Sequence, residues 1–438
     1  MLSDLPPDAP SPAPLLVAYS GGLDSTVLLH LLAGEPRRRS DGLRAIHVHH
    51  GLHPDADDWA RHCRRFCDAL AVPLTVVRVE VARDAGLGLE AAARHARHAA
   101  FEAALGTDEV LVTGHHRDDQ AETFLLRALR ASGTDGLAAM RAWRRCGRGW
   151  LWRPLLETPR AALLGHARTH ALRWIEDPSN ADTSLDRNFL RRRVLPALRE
   201  RWPHADAALA RSAALSAESA TLLERDDAQA LAGAGTADPH CLGVAALLAL
   251  PTARRHRVLR RWTAALSLPP LPASGIARID GELLAASSDT QAGFRWAGAR
   301  IRRWRGLLHA DRERSALPDD LDLGWDGRRP LTLPGGGTLC LEGTEALPAP
   351  CRVRARRGGE RIVLPGRGHH HALKQVLQDL EVPPWVRERL PLLEDGSNQL
   401  LAAGDLVYSA AFDDWLRARQ ARLVWHDGPP ARESPEPL

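Results

Sequence analysis

The stretch Leu15-Leu16-Val17-Ala18-Tyr19-Ser20-Gly21-Gly22-Leu23-Asp24-Ser25 decides the fold of the N-terminal part of the chain. Its apolar half predicts a short buried strand, and the residues from Thr26 to Leu32 predict a helix after it. Adjacent glycines between a strand and a helix let the backbone approach an anion, and the helix N-terminus adds unpaired N–H groups and a positive dipole end. The stretch therefore predicts a phosphate-binding loop.

The polar side chains of this loop fit the same interpretation. Ser20 and Ser25 supply hydroxyl donors, and Asp24 is placed to hold a Mg²⁺ ion that bridges phosphates. The alternative is an ordinary tight turn with a serine cap, which two glycines alone would favour. The loop is not a Walker A motif, because it lacks that motif's spacing and its lysine.

Strand-like and helix-like segments alternate through the first half of the chain. Strands are predicted at Ala45–Val48, Leu74–Val79, Val110–Thr113 and Trp150–Leu155, and helices at Asp58–Leu70, Leu89–Leu105 and Asp119–Ala131. Such alternation predicts a parallel sheet covered by helices on both faces. Ligands of these sheets lie outside the carboxyl ends of the strands, where the polar motifs of this sequence fall.

The pattern changes near Ala205. Alanine-rich helical sequence is followed by a linker or loop at 233–239, a helical segment at Val244–Leu266 and strand-like sequence around Phe294 and Ile301. Polar sequence fills Pro318–Gly337, and short strands with one helix follow to Trp425. We predict an α/β chain with three domains: a parallel-sheet, Rossmann-like nucleotide-binding domain at 1–205, a mostly helical domain at 206–320, and a small α+β domain at 345–428.

The basic residues are clustered although the net charge of +4 is small for 438 residues. Between Cys351 and Lys374 there are seven basic residues and one acidic residue, Glu360. Further arginine clusters run from Arg187 to Arg201 and from Arg254 to Arg261. One such cluster is usually a solvated face, but three together favour a polyanion as partner.

Other classes of protein are not favoured. The N-terminus has no basic start followed by an apolar core, and no apolar run reaches the length of a membrane span, so we expect a cytoplasmic protein without a membrane partner. The six cysteines show no disulfide framework. Cys63 and Cys67 are four apart on a predicted helix, but no second pair accompanies them to complete a metal site.

The phosphate-binding loop resembles that of a known group of enzymes. Ser20-Gly21-Gly22-Leu23-Asp24-Ser25 is similar to the PP-loop of the ATP pyrophosphatases. The resemblance implies that ATP is cleaved between its α- and β-phosphates and that these six residues bind the pyrophosphate part. It also implies Mg²⁺ near Asp24.

Further motifs narrow this resemblance to one family. They follow in the order His47-Val48-His49-His50-Gly51-Leu52, Gly114-His115-His116-Arg117-Asp118-Asp119-Gln120-Ala121-Glu122-Thr123, Arg130-Ala131-Ser132-Gly133, Glu176-Asp177-Pro178-Ser179-Asn180, Arg187-Asn188-Phe189-Leu190-Arg191 and Pro383-Pro384-Trp385. Together they resemble the tRNA(Ile)-lysidine synthetases, densely in the catalytic half and moderately in the C-terminal part. Ala131 departs from the family, which often has glycine there.

The resemblance implies a reaction. Free lysine would be ligated to carbon 2 of the wobble cytidine of isoleucine tRNA with a CAU anticodon, through an adenylated base, to give lysidine, AMP and pyrophosphate. ATP and Mg²⁺ would be required, codon reading would change from AUG to AUA, and a homodimer is left open.

Asp119 and Glu122 are three apart at a helix start, so both carboxylates can share one face. The resemblance implies that they hold the substrate lysine, although surface capping acids would show the same spacing. It also implies catalytic roles for Asp24, Arg187 and this carboxylate pair, Asp119 and Glu122. His47 and His115 are expected beside the nucleotide; a histidine metal cluster and a purely structural role are the alternatives.

The tRNA would be bound mainly by the basic clusters. The residues expected to contact it are Arg191, Arg192, Arg254, Arg255, Arg356, Arg357 and Lys374. A tRNA-thiolating PP-loop enzyme, a PP-loop enzyme that amidates a small molecule, and a non-catalytic RNA-binding protein are the rival interpretations. Thiolation commonly needs paired cysteines, which Cys63 and Cys67 match poorly.

Overall fold

A computed structural model describes residues 1–81, 89–286 and 293–428. The chain divides into two compact units, Met1–Gln229 and Ala230–Leu438. No helix in the described ranges is long and apolar enough to cross a membrane.

The first unit is built on a six-stranded sheet in the order β3-β2-β1-β4-β6-β5. Its strands are β1 (Leu15–Ala18), β2 (Leu43–His49), β3 (Leu74–Arg78), β4 (Val110–Val112), β5 (Trp143–Cys146) and β6 (Gly149–Trp152). All neighbours are parallel except β5 and β6. The predicted parallel sheet is therefore confirmed, but the antiparallel edge strand β5 was not foreseen.

Ten helices are described in or starting in this unit. They are α1 (Leu23–Ala33), α2 (Pro36–Ser40), α3 (Ala56–Ala69), α4 (Leu89–Ala104), α5 (Arg117–Ala128), α6 (Thr134–Leu137), α7 (Arg160–Thr169), α8 (Asp186–Phe189), α9 (Leu195–Arg201) and α10 (Ala205–Ala234). A 3-10 turn spans Pro178–Ala181, and a π-helical segment, Leu190–Val194, joins α8 to α9. The helix α10 crosses the division between the units.

The sheet is buried on both faces, as the short apolar strands require. Along β1, Leu15 and Val17 belong to one apolar cluster, with α1, α3 and α7, whereas Leu16 belongs to the cluster on the other face, with α4. This alternation follows from the two-residue period of a strand. Because β1 lies between β2 and β4, the loops after β1 and β4 leave neighbouring strands at one edge of the sheet.

The described residues of the second unit form four antiparallel sheets. Their orders are β7-β10-β9-β8, β11-β14-β17-β18-β19, β12-β13-β20 and β15-β16. The strands are β7 (Cys241–Gly243), β8 (Gly293–Trp296), β9 (Ala299–Trp304), β10 (Leu307–Arg312), β11 (Asp322–Trp325), β12 (Leu331–Thr332), β13 (Thr338–Glu342), β14 (Cys351–Arg354), β15 (Arg361–Val363), β16 (His370–Ala372), β17 (Leu392–Glu394), β18 (Leu400–Ala403), β19 (Val407–Tyr408) and β20 (Arg422–His426).

The helices of this unit lie mostly in its first third and around the C-terminal sheets. They are α11 (Val244–Leu248), α12 (Thr252–Ala265), α13 (Ala273–Arg278), α14 (Leu373–Asp379), α15 (Pro384–Arg387) and α16 (Ala410–Ala418), with a π-helical segment at Ile279–Leu283. The predicted helical middle region and the α+β C-terminal region are confirmed.

Three details differ from the sequence-based expectations. The region 233–239 is not wholly a linker, since α10 continues to Ala234. The single helical segment expected at Val244–Leu266 is two helices, because Pro251 starts a new one. The polar stretch Pro318–Gly337 contains β11 and β12, since its few apolar side chains, such as Trp325, are buried in the C-terminal core.

Candidate active site

The loop between β1 and α1 is organised by its own hydroxyl groups. The backbone N–H of Gly22 donates to Ser20 Oγ (3.3 Å), which lies 3.0 Å from Ser25 Oγ, and the Ser25 hydroxyl donates to the carbonyl of Gly22 (3.1 Å). Gly22 caps α1 without a side-chain hydrogen bond. The N–H groups of the first helical turn therefore remain available to an anion, with the positive end of the helix dipole behind them. The Leu23 side chain is buried, so this residue can offer a ligand only its backbone.

Gly21 allows no side chain. Its φ of +86° lies in the left-handed region, and a Cβ atom there would lie 2.5 Å from Ile175 Cδ1 and 2.9 Å from Cys63 Sγ. Gly114, after β4, is also confined: a Cβ atom would lie 3.0 Å from the backbone carbonyl carbon of Asp24. Gly114 therefore lets the loop after β4 lie in direct contact with the loop after β1.

Asp24 is the acidic residue of the first loop. Its Oδ2 atom lies 3.6 Å from His116 Nε2, and its Oδ1 atom is buried with no hydrogen-bond partner among the described residues. A buried carboxylate oxygen without a donor is costly unless a cation or a ligand satisfies it. The position thus fits a hard divalent cation such as Mg²⁺.

His116 connects Asp24 to the second loop. It caps α5, with its Nδ1 accepting from the N–H of Asp119 (3.4 Å) while Asp119 Oδ2 accepts from the N–H of His116 (3.1 Å). Its Nε2 lies 3.5 Å from Asp119 Oδ2. Burial lowers the pKa of His116, but the neighbouring carboxylates of Asp24, Asp119 and Asp118 outweigh burial and raise it overall.

Asp119 and Glu122 share one face of α5, as their spacing predicted. Both are buried, and both accept hydrogen bonds from arginines that are 65 to 72 residues later in the chain. Arg187 donates to Glu122 Oε2 (2.8 Å) and to Asp119 Oδ1 (3.2 Å). Arg191 donates to Glu122 Oε1 (2.6 Å) and to Asp119 Oδ1 (2.8 Å). Two carboxylates and two guanidinium groups therefore form one cluster that is balanced in charge.

The cluster changes the titration of its members. Burial raises the pKa of Asp119, but His116, Arg187, His115 and Arg191 outweigh it and lower this pKa to about 2. Arg191, on the π-helical segment, has a raised pKa because its bonds to Glu122 and the charges of Glu122 and Asp119 exceed the effect of burial. A substrate ammonium group that approached these carboxylates would have to share or replace arginine contacts.

The two histidines predicted beside the nucleotide are both uncharged at neutral pH. His47 is buried behind the loop, with Nδ1 3.0 Å from the carbonyl of Tyr19, and burial lowers its pKa. His115 Nδ1 lies 2.9 Å from Thr113 Oγ1. Burial, together with the charges of Arg153, Arg187 and Arg94, lowers the pKa of His115 to about 3. Both can therefore donate or accept neutral hydrogen bonds.

The cysteine pair of α3 does not form a reactive site. Cys63 and Cys67 are fully buried in the core beside the sheet. Burial raises the pKa of each thiol to about 12, so neither is a thiolate at neutral pH.

Residues predicted to bind tRNA differ in their surroundings. Arg191 is held in the cluster described above, and Arg255 donates to Asp280 Oδ1 (2.5 Å) and to the carbonyl of Leu250 (3.0 Å). Arg357 and Lys374 are exposed, and Arg356 is half-buried. Arg192 is exposed and Arg254 half-buried, and both have contacts of their own.

Sequence reasoning missed three contributors to this site. The motifs do not distinguish His116 from His115, the arginine pattern suits Arg191 to phosphates of ATP or RNA and not to carboxylates, and Ile175 lies outside every motif. The helix-capping position of His116 was visible, because Asp119 follows it at the spacing of a capping box. Nothing in the local sequence signalled the contacts of Arg191 or Ile175, since both are made across the fold.

Three regions of the chain match known protein families. Residues 6–198 match a family described as PP-loop domain, residues 242–309 the TilS substrate binding domain, and residues 351–425 the TilS substrate C-terminal domain. The first match contains every residue of the site between Ser20 and Arg191.

Full-length relatives decide the family. A tRNA(Ile)-lysidine synthase of Xanthomonas axonopodis pv. citri is 57% identical over 419 residues, covering 95% of each chain. One of Xylella fastidiosa is 52% identical over 426 residues, covering 96% of this chain and 97% of the relative. The chain belongs to the tRNA(Ile)-lysidine synthase family. The resemblance inferred from the sequence motifs, and with it the enzyme class, is confirmed.

The confinement of Gly21 predicts a specific loss of stability in this family member. We expect Gly21→Ala to lower the free energy of unfolding by about 2–4 kcal/mol, from left-handed strain and overlap with Ile175. Gly51→Ala is the matched control, because Gly51 has a φ of +66° but no atom within 4 Å of the place that a methyl group would take. It should lose only about 1 kcal/mol. Equal losses in urea unfolding would contradict the packing described here.

The low pKa of Asp119 predicts an acid-sensitive contribution to stability. The pKa of Asp119 is lower in the folded chain than in the unfolded chain, so the ionised carboxylate stabilises the fold above about pH 4. This contribution of about 2 kcal/mol to the free energy of unfolding is lost as the pH falls towards 2. The difference in unfolding free energy between the native chain and Asp119→Asn should therefore shrink from pH 5 downwards. The exposed Asp68→Asn is the control, and a difference that did not vary with pH would refute the assignment.

Proposed function

We propose that this chain ligates free lysine to carbon 2 of the wobble cytidine of isoleucine tRNA with a CAU anticodon. ATP would first adenylate the base, and the products would be lysidine, AMP and pyrophosphate, with codon reading changed from AUG to AUA. Family membership supports the reaction class. The observation that carries the proposal is the convergence of Asp24, His116 and Asp119, which brings a phosphate-binding loop and a buried carboxylate pair to one place.

ATP fits the loop from Ser20 to Ser25. The uncapped first turn of α1 offers backbone donors to the phosphates, and Gly21 keeps the loop free of side chains. His47 and His115, neutral at physiological pH, border this region and suit contacts to the nucleotide. Asp24, through its unpartnered Oδ1, would hold Mg²⁺, which supplies charge neutralisation at the phosphates.

Base adenylation needs positive charge near the phosphates. The oxygen on carbon 2 of the cytidine would attack the α-phosphate, and pyrophosphate would leave as negative charge develops on it. Arg187 suits this role, because its guanidinium lies at the carboxylate cluster and is only 28% exposed. A guanidinium held in a partly buried place stabilises developing charge without first having to be ordered.

Lysine attachment would use the carboxylate pair of α5. Asp119 and Glu122 present buried oxygens of the kind that an ammonium group prefers. The ammonium would share these carboxylates with Arg187 and Arg191, which bond to the same oxygens. The nucleophilic amine must lose a proton before it attacks carbon 2 and displaces AMP, and a nearby carboxylate assists that loss.

The tRNA would be held by the rest of the chain. We assign its binding to the predicted regions 206–320 and 345–428 together with Arg191, Arg192, Arg254, Arg255, Arg356, Arg357 and Lys374. An unpaired anticodon base can be turned out of its loop and presented to a pocket, as sequence-specific RNA recognition commonly requires. The exposed Arg357 and Lys374 are the members of this set best placed to meet phosphate without rearrangement.

Transfer of labelled lysine tests the reaction directly. With ATP, Mg²⁺ and unmodified isoleucine tRNA bearing CAU, the chain should place lysine in the RNA, and Asp24→Asn should lose at least about 100-fold in rate because a buried ligand of the metal is removed. Asp68→Asn, an exposed carboxylate on α3, is the matched control and should retain the native rate.

Changing the wobble cytidine should also abolish incorporation. If a folded chain that binds this tRNA incorporates no lysine, the proposal fails, and sulfur transfer to the same RNA becomes the next assay. Equal activity of Asp24→Asn and the native chain would remove Asp24 from the mechanism.

The role of the carboxylate pair has a separate signature. Glu122→Gln should raise the KM for lysine about 10- to 100-fold, because a neutral amide cannot form an ion pair with the ammonium group. This factor corresponds to the free energy of one charge-assisted hydrogen bond. The KM for ATP should change much less. Glu102→Gln, on the exposed face of α4, is the control, and circular dichroism checks folding of both variants. A lysine KM unchanged in folded Glu122→Gln would exclude this binding role.

A further inference from the structure

Three metal-ligating side chains meet in the second unit, and none of them belongs to the candidate active site. They are Asp238, Cys241 and His309, and one ligand atom from each lies within 4.8 Å of the other two. The Cys241 thiol donates to Asp238 Oδ2 at 3.1 Å, and its Sγ lies 3.1 Å from His309 Nδ1. Neither the predicted function nor the family's sequence motifs involve these residues.

Rigid elements position two of the three donors. Cys241 on β7 and His309 on β10 are directly paired residues of neighbouring antiparallel strands, so their side chains project from the same face. The backbone of each is fixed by the sheet. The His309 ring is further packed by Trp385, whose ring centroid lies 5.0 Å away.

A tight turn positions the third donor. The N–H of His240 donates to Asp238 Oδ1 (2.9 Å), and Thr236 Oγ1 accepts from the N–H of Asp238 (3.2 Å). These bonds hold the carboxylate so that Oδ2 faces the thiol. Asp238 is exposed whereas Cys241 is buried, so the group is open to solvent on one side only.

The donor set fits a zinc-class cation. Zn²⁺ binds Cys sulfur, His nitrogen and carboxylate oxygen in tetrahedral geometry, in which neighbouring ligand atoms lie about 3.4 to 3.6 Å apart. The two contacts of Cys241 Sγ, each 3.1 Å, need to open by only about half an ångström to admit the ion at its normal bond lengths. A thiolate and a carboxylate would balance the two charges of the ion, and a water molecule would complete the shell.

The surrounding charges do not oppose a cation. The nearby guanidinium of Arg302 donates to Asp311 Oδ2 (2.7 Å) and lies over the Trp385 ring, so its charge is already matched.

We propose that Asp238, Cys241 and His309 form a structural binding site for a zinc-class divalent cation, which fixes the first strand of the second unit. The ion would tie the turn after α10 to β7 and to β10. The proposal is independent of the ligase reaction, since none of the three residues belongs to the candidate active site.

Cobalt absorption tests the site, because Co²⁺ replaces Zn²⁺ and shows a sulfur-to-metal charge-transfer band only when a thiolate is bound. The full chain is stripped with chelator and titrated with Co²⁺ in a His166→Ala/His170→Ala background. This background removes the surface group of His30, His166 and His170, whose rings lie within 5.2 Å of one another by centroid. We expect one thiolate-bound Co²⁺ per chain, seen as a charge-transfer band that saturates, and bleaching of that band by Zn²⁺.

Matched variants assign the band. Cys241→Ser should abolish it, and Cys340→Ser, which removes a partly exposed cysteine on β13, should leave it unchanged. His309→Ala should weaken Co²⁺ affinity by at least about 10-fold. Zn²⁺ should raise the thermal unfolding temperature of the native chain and not that of Cys241→Ser.

Two results would overturn the proposal. One is a folded native chain that shows no thiolate band at saturating Co²⁺. The other is a band that survives in Cys241→Ser, which would place the metal on another cysteine. Circular dichroism of each stripped variant shows whether it is folded, so a missing band in a folded variant reports the ligand and not the fold.

Discussion

The site depends above all on the contact between the loops that follow β1 and β4. These strands are neighbours in a parallel sheet, so their carboxyl ends lie side by side. Gly114 has no side chain, so the loop after β4 can approach the backbone of Asp24 so closely that a Cβ atom would lie only 3.0 Å from its carbonyl carbon. Every further contact of the site builds on that approach. His116 can face Asp24 only because α5 begins this close to α1, and the carboxylates of α5 are placed by the same helix start.

Local motifs made the first half of this arrangement predictable. The strand-loop-helix pattern, the glycine pair and the acidic pair on α5 each depend on residues within one short segment, and the structure has all of them. The antiparallel edge strand β5 was not predictable in this way, because Trp143 and Cys146 carry a strand pattern too short to stand out. Ala131 has a φ of +52°, in the left-handed region that favours glycine, which explains why glycine is common at this position. In this chain alanine adopts the same conformation.

Long-range charge pairing was the part that sequence could not supply. Arg187 and Arg191 are four residues apart, a spacing that lets them share a helix face, but this spacing does not show that the face is turned towards Asp119 and Glu122. The π-helical segment at Leu190–Val194 contributes to this geometry, as such segments often do at functional sites. Arg255 makes the same point in the second unit, since it lies in a basic cluster yet is bonded to Asp280. A basic cluster in sequence therefore overstates the charge that a polyanion would meet.

One further consequence concerns Lys374, which is exposed on the first turn of α14 and is the only lysine among the 438 residues. A reagent that acylates amines finds a single side-chain target, and that target lies in the C-terminal sheet region. A fluorophore or spin label can thus be attached there without introducing a cysteine and without touching the six native thiols. Arginine, which makes up most of the other basic residues, does not react with such reagents.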